Sequence, residues 1–130
     1  MDVPYLYRSL VFEAVCGLYR LIEGFEKQEI DIEKVIAVGG ISKKSPYVMQ
    51  MLSDLSGREI YILDSDQTCA QGAAMYAVVG AGIYETLEVA AEHMAAKCIK
   101  IYKPDSEKKD WYKKHYQEYL KLAEAVNKLS

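Results

Sequence analysis

Leu6, Leu10, Ala14, Leu18, Leu21, Ile22 and Phe25 recur at steps of three and four, a spacing that predicts one apolar face of an N-terminal helix. Cys16 lies beside that stripe and reads as a small core residue, not a nucleophile. Gly24 and the charged stretch from Glu26 to Glu33 end the helix. Val35-Ile36-Ala37-Val38 is then a continuous apolar, mostly β-branched run. Such a run predicts a strand covered on both faces, as in a parallel sheet. It stops at Gly39-Gly40. Ser45-Pro46 offers an N-cap oxygen and a proline for the first helical position, and Gly57 suits the far end of that helix. Val48, Met49, Leu52 and Leu55 give it an inner face.

Ile60 to Leu63 predicts a second strand, followed by the polar loop Asp64-Ser65-Asp66-Gln67. A third helix, dense in small residues, begins near Thr68 and runs through Ala77. Close packing on a sheet and close approach of a nucleotide both suit so smooth a helix. Helix, strand, helix, strand, helix is an α/β series, and parallel strands require the intervening helices as crossovers. Leu87 to Met94 predicts a short helix, and Cys98 to Tyr102 has extended character. After the break at Lys103-Pro104-Asp105, Trp111, His115, Tyr119, Leu122 and Val126 line one face of a long amphipathic helix, a core stripe and not a cofactor box.

Composition narrows the classes. With 51% apolar and 27% charged residues among 130, the chain has the size and make-up of a folded domain, not of a disordered or low-complexity segment. A net charge of −3 argues against a general nucleic-acid or anionic-membrane surface, and no apolar run reaches the ~18 residues of a membrane span. Charge is uneven: residues 1–96 hold 7 basic and 14 acidic side chains, residues 97–130 hold 9 and 5. That asymmetry reads as a solvated basic helix on an acidic body. Three cysteines without a C-x-x-C pair predict reduced thiols, and nothing at the N-terminus resembles a secretory leader, so the expected compartment is the cytoplasm. The two histidines lack partners at zinc-ligand spacing.

Two places carry candidate chemistry. Gly39-Gly40-Ile41-Ser42-Lys43-Lys44-Ser45 is not a P-loop, because no glycine precedes the lysine. It is either a tight turn or a bare backbone that a flat ring or ribose approaches, and it lies where open α/β sheets bind ligands. Asp64-x-Asp66 suits a hard cation or, as the weightier reading, caps the following helix.

Several motifs in order and at matching spacing add a resemblance. They are Ile36-Ala37-Val38-Gly39-Gly40, Lys44-Ser45-Pro46, Met49 to Asp54, Gly57-Arg58-Glu59-Ile60 and Ser65 to Met75. Together they resemble the C-terminal part of the FGGY carbohydrate kinases. The Ser65-Asp66-Gln67-Thr68 stretch and the Tyr102 to Asp105 turn before a Tyr-rich helix are most similar to the ribulokinase branch. Gln71 departs from the family, which carries an apolar residue there.

The resemblance implies a partial ribonuclease H-like (actin-like ATPase) domain, with residues 1–96 as the adenosine-binding portion and residues 97–130 as an extension. It implies ATP and Mg²⁺ as cofactors and a sugar, L-ribulose first, as acceptor in a longer enzyme. Gly39 and Gly40 are expected against adenosine and Lys44 near the nucleotide. The catalytic aspartate, the Mg²⁺ site and most of the sugar pocket are expected in upstream sequence. The chain thus reads as a C-terminal fragment, inactive alone and prone to self-association. Two alternatives stay open: a fragment of a xylulose- or glycerol-type kinase of the same family, and a non-catalytic module that binds proteins.

Overall fold

Asp2 starts the first helix: its carboxylate accepts the Tyr5 amide at 3.0 Å, and Pro4 sits in the first turn. A computed structural model describes residues 2–128. The helix α1 spans Val3–Glu26, and β1 follows at Val35–Ala37. A one-turn helix α2, Gly40–Lys44, precedes α3, Pro46–Ser56, and β2, Ile60–Leu63. Then come α4, Thr68–Gly80, α5, Leu87–Met94, β3, Cys98–Tyr102, and α6, Lys109–Asn127. No described helix is long and apolar enough to cross a membrane.

The sheet has the order β1-β2-β3. β1 and β2 are parallel with Val35 opposite Ile60, while β3 returns antiparallel with Tyr102 opposite Ile60. The predicted helix-strand-helix-strand-helix series with parallel strands, closed by an amphipathic helix, is therefore present. Register sorts the side chains by face. Val35, Ala37, Ile60, Ile62 and Tyr102 join the core made with α1, α3 and α6, whose buried members include Val15, Tyr19, Met51, Leu55 and Tyr116. Cys16 is buried there too, and burial pushes its thiol up to about 12, so it is a packing residue.

Four expectations need correction. Among the described residues β1 is covered on one face only: Ile36 is 53% exposed, and Ile101, two strands away on the same face, is exposed as well. α1, α3 and α6 pack on the opposite face. The predicted stripe of α1 lies largely outside the core: Leu6, Leu10, Leu18, Leu21 and Phe25 are exposed, Ile22 packs against the core, and the buried residues are Val15, Cys16 and Tyr19. The reason is lateral packing. α1 lies beside α3 and α6, so it buries the side turned towards those helices. On α6 the core face is offset by one residue, to Tyr112 and Tyr116. Trp111 is half-exposed, stacked on His115 with centroids 3.9 Å apart and covered by the Arg8 guanidinium. Finally, Ser45 makes no side-chain cap on α3; its amide instead closes α2 on the Ile41 carbonyl at 2.9 Å. Gly57 does end α3, at φ 68°.

Polar ties seat the C-terminal third. The buried Asp54 carboxylate accepts from Gln50 Nε2 at 2.7 Å and from the Asp105 amide at 2.9 Å. Gln50 also donates to the Lys103 carbonyl, and Ser53 to that of Tyr102. α4 has no buried residue and packs mainly on α5, where Gln71 donates to the Met94 carbonyl. Gln71 thus serves a helix-to-helix bond.

Candidate functional site

The carboxyl ends of the parallel strands β1 and β2 open onto one rim. At the end of β1, Gly39 adopts φ 90° and ψ −178°, a conformation that side chains resist and glycine accepts. The backbone then enters α2 at Gly40, so the positive φ belongs to Gly39 alone of the pair. Ser42, buried, fixes the turn by donating its hydroxyl to the Gly39 carbonyl at 2.7 Å. A Cβ built on Gly39 or on Gly40 would meet no heavy atom within 4 Å. Space above both glycines is therefore open, and the positive φ is what requires glycine at position 39.

Lys43 spans the rim. Its ammonium donates to Asp64 Oδ1 at 3.0 Å and to Asp66 Oδ1 at 2.9 Å, joining the turn after β1 to the loop after β2. The Asp66 carboxyl is held below the usual carboxylate range, first by that hydrogen bond and then by the charges of Lys43 and Lys44. Lys43 is correspondingly pushed up by its bonds to Asp66 and Asp64. Lys44, the next residue, is exposed at the same rim.

The weightier sequence reading of Asp64 and Asp66, as helix caps, does not hold. α4 has Gln67 at its N-cap and no side-chain cap bond, because both carboxylates turn towards Lys43. Nor is the pair laid out for a cation: an ammonium sits between the oxygens, and the described residues contain no group of three or more His, Cys, Asp or Glu around a common point. Gly39, Gly40 and Lys44 fall together within one turn and one short helix. Lys43 is the rim residue that sequence reasoning does not single out. The only sequence signal for it was a second lysine beside Lys44 facing an Asp-x-Asp loop that follows the neighbouring strand.

Lys43→Met is expected to leave the melting temperature nearly unchanged, since exposed ion pairs contribute little. It should raise the titration midpoint of Asp66 into the ordinary carboxylate range. The sign follows from the lowered folded value: the clamp's contribution is present above the unfolded carboxylate pKa and is lost as pH falls through the folded one. Side-chain carbonyl NMR across about pH 2–6, a window of about two units on either side of an ordinary carboxylate pKa, reads it. An Asp66 midpoint that does not move in the variant would show that Lys43 is not what holds it down.

Residues 1–81 match the FGGY family of carbohydrate kinases, C-terminal domain. The chain is 37% identical over 127 residues to a ribulokinase of Vibrio parahaemolyticus, covering 98% of this chain and 22% of that protein. It is 38% identical over 121 residues to a ribulokinase of Shouchella clausii, covering 90% and 22%. Among solved structures, the xylulose kinase of Rhodospirillum rubrum superposes with a TM-score of 0.82 at 17% identity, over 99% of this chain and 26% of that one. The gluconate kinase of Lactobacillus acidophilus does so with 0.82 at 21%, over the same shares. These likenesses establish the actin-like ATPase fold expected from the motifs. The chain spans about a fifth of the length of the curated relatives it matches. Its motifs, its parallel strands with an open glycine turn and the match over residues 1–81 lead to one conclusion: the chain belongs to the FGGY family of carbohydrate kinases, as part of their C-terminal domain.

Proposed function

We propose that this chain supplies the adenosine end of the ATP site in a carbohydrate kinase whose acceptor is L-ribulose. The observation that carries the reading is the bare Gly39-Gly40 turn, open at the carboxyl ends of two parallel strands. The acceptor follows from similarity to ribulokinases over nearly the whole chain. In this reading residues 1–96 hold the subsite, and residues 97–130 form an extension that completes the sheet through β3. The kinase is cytoplasmic, and the isolated chain is inactive and self-associates.

ATP fits the residues present, since the space above both glycines is open and a cation stands at the rim. When bound, ATP supplies the phosphoryl group for transfer to a sugar hydroxyl. Gly39 and Gly40 admit the ribose and base against the backbone. Lys44 presents a positive charge, while Lys43 is engaged by two carboxylates and keeps the turn in register. Mg²⁺ does not fit Asp64 and Asp66, so no metal ligand is assigned here. The catalytic aspartate and the metal site belong to the remainder of a longer kinase.

Gly40→Val tests the subsite in a full-length kinase carrying this segment. Gly40 has helical backbone and no neighbour within 4 Å of its Cβ position, so the fold should tolerate valine. Crowding of the bound adenosine is expected to cost about 1–3 kcal/mol, or about 5- to 150-fold in KM for ATP. KM for the sugar should stay unchanged. An unaltered KM for ATP would remove the adenosine assignment.

The exposed apolar side of α1 favours a second reading, a non-catalytic module that uses this scaffold to bind protein. Nucleotide binding by the rim separates the two.

A further inference from the structure

We infer that Lys43 is a positioning residue for the nucleotide: by holding Asp64 and Asp66 together it ties the Gly39-Gly40 turn to the loop after β2, and so sets the affinity of the rim for ATP. This rests on the adenosine reading above and names what keeps its subsite in shape.

The turn is weakly held by its own backbone. Two adjacent glycines lose more conformational entropy on being fixed than any other pair. They lead directly into α2, whose five residues are too few to be stable alone. The ladder between β1 and β2 ends at Ala37 opposite Ile62, before Gly39 is reached. Ser42 bonds to the Gly39 carbonyl, which closes the turn on itself and does not join it to the neighbouring loop.

Lys43 supplies the outside anchor. Its bonds to Asp64 Oδ1 and Asp66 Oδ1 are the only side-chain hydrogen bonds, among the described residues, between the turn and the loop after β2. That loop is itself fixed, since the Asp64 amide donates to the Lys97 carbonyl at 2.9 Å, just before β3. The Lys43 side chain is 24% exposed, and its ammonium is engaged by two carboxylates. Two consecutive lysines thus divide the work: Lys43 is bound to the neighbouring loop, and Lys44 is left exposed.

An exposed ion pair adds little to the stability of a whole domain, but the opening of a loop is a local equilibrium close to balance. Losing the tether there lowers the share of molecules whose turn has its binding shape, and apparent affinity falls in proportion. A purely electrostatic role for Lys43 makes the opposite forecast for its partners. If Lys43 acted on ATP by charge alone, removing the two carboxylates would free it and tighten binding. If it acts as a tether, removing them weakens binding as removing the lysine does.

A full-length kinase carrying this segment provides the test, by calorimetric titration with ATP, steady-state kinetics and amide hydrogen exchange. Lys43→Met and the double variant Asp64→Ala/Asp66→Ala should each raise Kd and KM for ATP about 10-fold, as the competent population falls to about a tenth. The kcat and the KM for the sugar should stay within about twofold. Both variants should speed exchange over residues 38–45 and leave α3 unchanged, which controls for the fold. Lys43→Arg, whose two terminal nitrogens serve one carboxylate each, should restore the wild-type affinity. Unchanged ATP affinity in Lys43→Met or in the double variant overturns the proposal, as does tighter binding by the double variant. Gly40→Val separates this failure from that of the adenosine reading. If it raises the KM for ATP while the clamp variants do not, the subsite stands and the tether is wrong. If it leaves that KM unaltered, the adenosine reading falls and the tether falls with it.

Discussion

The purified 130-residue chain is expected to transfer no phosphate from ATP to L-ribulose. Phosphoryl transfer needs a base on the sugar hydroxyl, charge stabilisation of the phosphates and alignment of the two, and these act together. The acidic groups at the rim are poor bases here. Asp64 and Asp66 both accept from Lys43, and Asp66 is held below the usual carboxylate range. Losing positioning and charge stabilisation together costs well over ~8 kcal/mol of transition-state stabilisation, which places turnover below detection. A coupled assay that follows ADP release, with host kinase excluded, reads the outcome. Clear L-ribulose-dependent turnover by this chain would overturn the placement of the catalytic groups.

Leu55→Ala is expected to produce the largest loss of stability. Leu55 is fully buried at the junction of α3 with the sheet and α6, in the cluster that also holds Met51, Ile60 and Tyr116. Truncation there loses both transfer free energy and packing, about 2–5 kcal/mol. Against a total of ~5–15 kcal/mol, that is a large share. The melting temperature should fall by about 10 °C or more. Leu122→Ala removes the same atoms from an exposed site on α6 and should stay within about 0.5 kcal/mol. Equal losses at the two positions would contradict the assignment of the core face of α6, which periodicity alone places one residue away.

That offset shows which parts of the fold were legible in the sequence. Helix and strand positions follow from local chemistry: Pro46 and Gly57 bracket α3, and β-branched Val35-Ile36 marks β1. Which side of a helix is buried depends on its neighbours. α1 carries apolar residues around much of its circumference, and the stripe of most regular spacing is not the one turned towards α3 and α6. Likewise a β-branched run reads as doubly covered, although register places Ile36 on the open face with Ile101. At the rim, Gly39 and Gly40 stand out in the sequence as a glycine pair directly after a strand, although only Gly39 uses the backbone freedom. Lys43 does not stand out. Its role exists only because the parallel pairing of β1 with β2 brings residues 21 and 23 positions apart to within 3.0 Å.

Titration of the ¹⁵N-labelled 130-residue chain with ATP, followed by amide chemical shifts, tests the adenosine assignment most directly. Binding at the rim predicts saturable shifts concentrated at Gly39, Gly40 and Lys44 and at the loop after β2, with little change on α6. Adenosine should reproduce the shifts at the two glycines, and Gly40→Val should abolish them while retaining the fold. Shifts that are absent up to millimolar ATP, or that cluster away from this turn, would contradict the account.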